Sequence, residues 1–195
     1  MRDMKNKMKF NYAGMTFEVP STCLRTIDYW GKPLETPYIN IGRKEVASMS
    51  KAFVKKNYPN IMVWGSSQTF ANGNSVDINV CNNDGSDLDL GSKEWKEIAG
   101  FVNSLSGGKY NGWEEIYEYG PAFETDNGTK IESYAKYVHI NNSAPHGSWP
   151  SAVKCLKGLI AGEYVFGPLS IEKAVETAKK YGYSESNLTK ALQLI

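Results

Sequence analysis

Apolar and polar residues alternate in short runs along the first half of the chain. Phe10 and Tyr12 answer Phe17 and Val19 at period two around Ala13-Gly14, the pattern of a tight hairpin. A loop rich in Pro and Gly follows, and Tyr38-Ile39-Asn40-Ile41 then reads as a strand ended by Gly42. From Arg43 the period lengthens. Val46, Met49, Phe53, Val54 and Tyr58 recur at helical spacing, Lys51, Lys55 and Lys56 take the other side, and Pro59 stops the run. Ile61 and Val63, then Val76, Ile78 and Val80, alternate again with polar residues, as antiparallel strands do when one face is covered and the other is open. Asn72-Gly73 supplies the reversal between them. Ser92 offers a cap to a second helix carrying Trp95, Ile98, Ala99, Val102 and Leu105, and Ala135-Lys136-Tyr137-Val138-His139-Ile140-Asn141 supplies a last strand.

Strand, helix, strand, strand, helix, strand is the order of an α+β fold. An antiparallel sheet with two helices on one face, in the manner of a split β-α-β arrangement, satisfies it with short connections. The character of the chain changes after Trp149-Pro150. Val153, Leu156, Leu159 and Ile160 share one side of a helix. Ser170 caps a second helix with Ile171, Ala174, Val175 and Ala178, and Ser184 caps a third with Leu188, Ala191, Leu192 and Ile195. The expected organisation is a sheet domain with its N-terminal hairpin over residues 1–146, and a small three-helix unit over residues 147–195.

Composition narrows the function classes. With 195 residues, 41% hydrophobic and 22% charged, the chain can bury a core. A net charge of +1 removes the bulk electrostatic case for a DNA mimic or a DNA-coating protein, so any nucleic-acid role must come from a local patch. The charged start MRDMKNKMKF lacks the apolar core of a secretory signal, and no run nears the roughly 18 apolar residues of a membrane span. A cytoplasmic protein without membrane contact is expected. Cys23, Cys81 and Cys155, an odd number without CxxC spacing, suggest buried free thiols rather than disulfides or zinc.

The helix ending at Tyr58-Pro59, the Ser66-Ser67 stretch, the Phe70-Ala71-Asn72-Gly73 turn, the strand from Ser75 to Val80 and the Asp84-Gly85 loop follow one another in a fixed order. Together they resemble a small α/β domain associated with large polyvalent proteins of phages and conjugative elements. Tyr110-Asn111-Gly112-Trp113 and Ala135-Lys136-Tyr137-Val138 are similar to that family's downstream segments, which extends the likeness over about residues 39–143. Asn72 stands where the family has Gly, and Cys81-Asn82-Asn83 where it has an aromatic-polar-polar run. The resemblance implies a mobile-element origin and a binding module, and it brings no catalytic residues.

Five constellations carry candidate chemistry. Trp113, Glu114, Glu115, Tyr117 and Glu118 combine aromatic anchors with acidic neighbours and no cation, which suits a contact surface for a basic partner. In the tail, an Ala before a turn Gly and Leu188 and Ala191 after it resemble a helix-turn-helix. Ser186, Asn187 and Lys190 would then contact DNA, although residues 147–195 hold only six Lys against four Glu. Lys51, Lys55 and Lys56 beside the half-covered sheet, with Tyr and Trp near the ends of its hairpin, offer charge and stacking for nucleic acid on the open face. Asp84, Asp87 and Asp89 invite a calcium reading, but the position that opens an EF-hand loop is Val80, so a solvated turn before a helix is expected. His139 or His146 with Cys81 could make a nucleophile and base, yet no nucleophile elbow, phosphate loop, HExxH or dinucleotide turn accompanies them. No cofactor or metal is expected. The first expectation is a non-catalytic phage or mobile-element accessory protein that binds a host protein or nucleoprotein complex and inhibits a nucleic-acid-targeting defence system. A DNA-binding regulator using the C-terminal helices is the alternative, and a small hydrolase or transferase a weaker one.

Overall fold

The computed structural model of the chain describes residues 6–71, 73–111, 116–119 and 123–195. Along the chain run β1 (Lys7–Tyr12), β2 (Met15–Pro20), β3 (Leu24–Ile27), β4 (Pro33–Ile41), α1 (Arg43–Asn57), β5 (Ile61–Phe70) and β6 (Gly73–Asn82). Then come α2 (Lys93–Ser104), β7 (Gly108–Asn111), β8 (Ile116–Tyr119), β9 (Phe123–Glu124), β10 (Lys130–Ser133), β11 (Tyr137–Asn141), α3 (Trp149–Ala161), α4 (Ile171–Lys180) and α5 (Glu185–Leu192). The fold is α+β, with the two expected helices on one face of a sheet and a cluster of three helices at the C-terminus.

The helix ends follow the local chemistry. Ser92 Oγ accepts the Trp95 N–H at 3.1 Å, and Ser148, Ser170 and Ser184 cap α3, α4 and α5 in the same way. At α1 the reciprocal half of a capping box is made by Glu45, whose carboxylate accepts the Gly42 N–H at 3.1 Å. The β1–β2 hairpin turns at Ala13 (φ 51°) and Gly14 (φ 68°), the two positive φ values of a two-residue reversal whose twist matches the strands. Gly73 opens β6 opposite Phe70; Asn72, expected to share that reversal, lies outside the described residues.

A three-stranded sheet in the order β11-β6-β5 forms the centre. β5 and β6 pair antiparallel from Ile61↔Asn82 to Phe70↔Gly73, whereas β11 runs parallel to β6 from Tyr137↔Ser75 to Asn141↔Asn79. β10 lies parallel to β4, Ser133 level with Ile41, and three residues separate it from β11. β10 and β4 belong to a second sheet, β3-β4-β10-β9.

Val76, Ile78 and Val80 of β6 are fully buried and share one core with Val46, Met49 and Val54 of α1 and Ile98, Phe101 and Val102 of α2. The N-terminal hairpin closes this core from the far side. Phe101 stacks on Phe53, ring centroids 3.9 Å apart and planes 3° from parallel, and also on Phe17 at 5.9 Å. A separate cluster of Val153, Leu156, Leu159, Ala174, Ala178, Leu188 and Ala191 holds the C-terminal helices together. The helices therefore cover one side of the β11-β6-β5 sheet, and the residues between Val76, Ile78 and Val80 turn to the other.

Candidate binding face

The side chains on that other side are fixed by register, because neighbours at period two share a face. Across β11, β6 and β5 they form three rows: Tyr137, Ser75 and Gln68; His139, Asp77 and Ser66; Asn141, Asn79 and Trp64. His139, Asn141, Ser66 and Gln68 are exposed, and Tyr137, Asp77, Asn79 and Trp64 half-buried. Ser75 is buried, and its Oγ has no hydrogen-bond partner. A line of rings crosses one end of the face. Phe70, 43% exposed, lies 6.0 Å from Tyr137 with planes 26° apart, and Tyr137 lies 6.5 Å from His139 with planes 3° apart. Lys136 carries its Nζ 5.4 Å from the Tyr137 ring centroid.

Asn74 holds this line in place. Its Nδ2 donates to the Tyr134 carbonyl at 2.9 Å and its Oδ1 accepts the Lys136 N–H at 3.1 Å, which pins the start of β11 to the start of β6. Gly73 leaves the room the cluster needs: a Cβ there would come within 2.9 Å of Lys136 Cδ, 3.4 Å of Phe70 Cε2 and 3.5 Å of Tyr137 Cε2.

The lysines singled out on α1 border the same sheet. The aliphatic stem of Lys51 packs 3.3 Å from where a Gly65 Cβ would stand, on the helix-covered side of β5 that Gly65 shares with Ile78 and opposite the open face. Lys55 lines, with Met62, Trp64 and Asn83, a recess of about 330 Å³ along β5. Lys56 is exposed on the same helix. Among the described residues these three lysines form no ion pair.

The tail residues are placed differently. Asn187 Nδ2 donates to the Gly147 carbonyl at 2.7 Å, and Lys190 Nζ lies 4.4 Å over the Trp149 ring, so both turn onto the start of α3. Ser186 stays exposed, its Oγ 3.2 Å from Ser184 Oγ. Ser186, Asn187 and Lys190 thus belong to the C-terminal cluster, while Lys51, Lys55 and Lys56 belong to the sheet. Of the acidic aromatic segment, Trp113, Glu114 and Glu115 lie outside the described residues. Tyr117 and Glu118 fall in β8, opposite Tyr110 and Lys109 of β7, and their side chains are likewise outside the description.

Each carboxylate of the acidic loop has its own task. Asp84 Oδ1 accepts the Ser86 Oγ–H at 2.6 Å and the Ser86 N–H at 2.9 Å, and these bonds hold its carboxyl below the usual range. Asp87 pairs with Lys154 of α3 at 2.9 Å, and Asp89 Oδ1 accepts the Gly91 N–H at 2.8 Å. The loop is thereby a turn that seats α3. The nucleophile candidate is equally committed. Cys81 is fully buried, and burial first, then the charges of Asp87 and Asp84, pushes its thiol up to about 11. Such a group is not a thiolate at neutral pH. His139 stacks beside Tyr137, and His146 packs on Tyr183 at 4.9 Å.

Two features were not read from the sequence. The Pro- and Gly-rich stretch after β2 contains the β3–β4 hairpin, whose tip exposes Tyr29 (93%) and Trp30 (80%) edge to face. Asp28 Oδ1 fixes that tip by accepting the Trp30 and Lys32 N–H groups, both at 2.8 Å, and an Asp three residues before a Gly was the available signal. The ring line was invisible for another reason: Phe70 and Tyr137 meet only through the pairing of β11 with β6. Among the described residues no helix is long and apolar enough to cross a membrane, and no group of His, Cys, Asp and Glu is arranged to hold a metal. Comparison of the chain with protein-family models, curated proteins and solved structures gives no match.

Proposed function

We propose that the chain is a non-catalytic accessory protein of a phage or other mobile element, which binds a host macromolecule on the open face of the β11-β6-β5 sheet and inhibits a nucleic-acid-targeting defence system. The observation that carries the binding reading is the composition of that face. Phe70, Tyr137, His139 and Trp64 stand among hydrogen-bonding side chains on three adjacent, hydrogen-bonded strands. Aromatic rings on rigid strands are effective contact groups because little side-chain entropy is lost when they are covered. The mobile-element part of the reading rests on the resemblance of residues 39–143. The buried, protonated Cys81 and the separate engagement of the two histidines favour binding over nucleophilic catalysis. The bond of Asn187 to the Gly147 carbonyl and the seat of Lys190 over the Trp149 ring give the C-terminal helices less support as a DNA reader than the sheet.

The test is functional. Cells carrying a nuclease-based defence are challenged with a phage while expressing the wild-type chain or the variant Trp64→Ala/His139→Ala. Protection of the phage by the wild type and its loss in the folded variant is the expected result. Equal protection by both, or none by the wild type, overturns the proposal.

A further inference from the structure

We propose that the free edge of β5 takes up an extended, acidic segment of a partner protein as a further strand of the β11-β6-β5 sheet. The inference concerns the rim of the sheet rather than its open face, so it does not depend on the outcome of the phage challenge. Edge strands are ordinarily kept short, or broken by a bulge, a proline or a charge, because their unpaired N–H and C=O groups are a template for another chain. The other edges of the two larger sheets follow that rule. β3 has four residues, a register shift and Arg25; β9 has two residues and Glu124; β11 has five residues. β5 runs for ten residues, IMVWGSSQTF, without a charge or a proline, and its register with β6 is unbroken from Ile61 to Phe70. Apart from that ladder, the backbone of β5 makes one hydrogen bond among the described residues, from the Ile61 N–H to the Tyr58 carbonyl at 2.9 Å. Such an edge is what strand addition uses.

The side chains along the edge are those a missing neighbour would cover. Ile61, Met62, Val63, Trp64 and Phe70 are none of them buried, whereas Val76, Ile78 and Val80 of the adjoining β6 are fully so. Ile61, Met62, Val63 and Trp64 line the recess of about 330 Å³ in succession. Successive residues point to opposite faces, so this hollow wraps the edge itself. The cations beside it set the chemistry of the occupant. Lys55 lines the recess and the stem of Lys51 packs at Gly65, so the two lysines follow β5 on its helix-covered side. Four helical residues rise about 6 Å, and alternate residues of a strand stand about 6.6 Å apart. Two carboxylates at alternate positions of an incoming strand can therefore each meet one lysine, while apolar residues between them lie on the side of Met62 and Trp64. Neither lysine has an ion-pair partner among the described residues. A second copy of the chain is the poorer occupant. β5 brings no carboxylate, and pairing two β5 strands would gather the lysines of both copies.

The test is nuclear magnetic resonance of the isotope-labelled full-length chain, titrated with a blocked peptide of about eight residues alternating Glu and Val, within the length of ordinary strands. Amide hydrogen exchange is read in the same samples. The expected result is a dissociation constant below about 1 mM that rises with salt, and slowed exchange at alternate amides of β5. The same peptide N-methylated at every amide keeps its charges, loses its donors and should not bind. Lys51→Glu/Lys55→Glu should bind the Glu-Val peptide roughly tenfold more weakly and take the corresponding Lys-Val peptide in its place. That reversal of preference is beyond a variant that has merely lost its fold. Absence of binding at about 1 mM, equal binding of the methylated peptide, unchanged exchange in β5, or a charge-reversed variant without the reversed preference would each overturn the inference. A dimer of the chain by light scattering that protects the same β5 amides would put a second copy on the edge and overturn it as well.

Discussion

Lys154 Nζ lies 2.9 Å and 3.1 Å from the two carboxylate oxygens of Asp87, and among the described residues this is the one ion pair that crosses from the sheet unit to the C-terminal helices. Both partners are about half exposed, so the pair is screened, and its coupling in a double-mutant cycle should come to under about 1 kcal/mol. Shape holds the seam more firmly than charge. Gly85 has φ +86°, and a Cβ there would stand 2.9 Å from the Pro150 carbonyl oxygen. Gly85→Ala should therefore cost more than Lys154→Ala, about 1–3 kcal/mol in urea unfolding, because the backbone strain and the clash act together. A Lys154→Ala variant as destabilised as Gly85→Ala would refute this ranking.

Phe101 is the hub of the core above the helices. It is 6% exposed and touches Phe53, Phe17 and Tyr12, rings drawn from α1 and both strands of the N-terminal hairpin. Phe101→Ala should cost about 3–5 kcal/mol and reduce the near-ultraviolet dichroism of the whole ring cluster. Phe101→Leu, which keeps most of the volume, should recover more than half of that loss. A loss below about 1 kcal/mol for the alanine variant would show that the hairpin is held elsewhere.

Period and capping made the helices legible. Val46 through Tyr58 and Trp95 through Leu105 announce amphipathic faces, and Ser92, Ser170 and Ser184 are caps in the structure as in the sequence. The alternation of Val76, Ile78 and Val80 likewise told which side of β6 is covered. What could not be read is pairing between distant segments, since nothing local in Tyr137-Val138-His139 states that β6 is its neighbour or that the two run parallel. The ring line of the candidate face depends on that one pairing. Lys190 is exposed with its Nζ 4.4 Å over the Trp149 ring, a contact between α5 and α3 that nothing local in the sequence states either.

Thiol chemistry tests whether Cys81 can act as a nucleophile. Cys23, Cys81 and Cys155 are all buried and free, and burial raises the pKa of each. A chromogenic disulfide reagent at pH 8 should therefore react only at the rate at which the native chain opens, and should count all three thiols promptly in denaturant. Rapid reaction of Cys81 in the native state would reopen the catalytic reading.

Tyr58 and Glu97 join the end of α1 to α2 through a hydrogen bond from the phenol to the carboxylate. Burial first, then that bond and the charge of Glu97, pushes the Tyr58 phenol up to about 12 from an ordinary value near 10. The sign follows from proton binding. Between pH 10 and 12 the unfolded chain loses the Tyr58 proton while the folded chain keeps it, so the group's contribution is complete below pH 10 and fades as pH rises. Glu97 acts at the other limb: the bond from Tyr58, followed by Lys93, holds its carboxyl below the usual range, so its contribution is present above about pH 4.5 and lost as pH falls. Tyr58→Phe should flatten both limbs of melting temperature against pH while leaving the shape between pH 6 and 9 unchanged. The matching titration at 295 nm should show one tyrosine fewer among those ionising last. If the variant and the wild type lose stability in parallel above pH 10, the phenol is not what ties the two helices, and the contact of Phe53 with Phe101 must carry that junction alone.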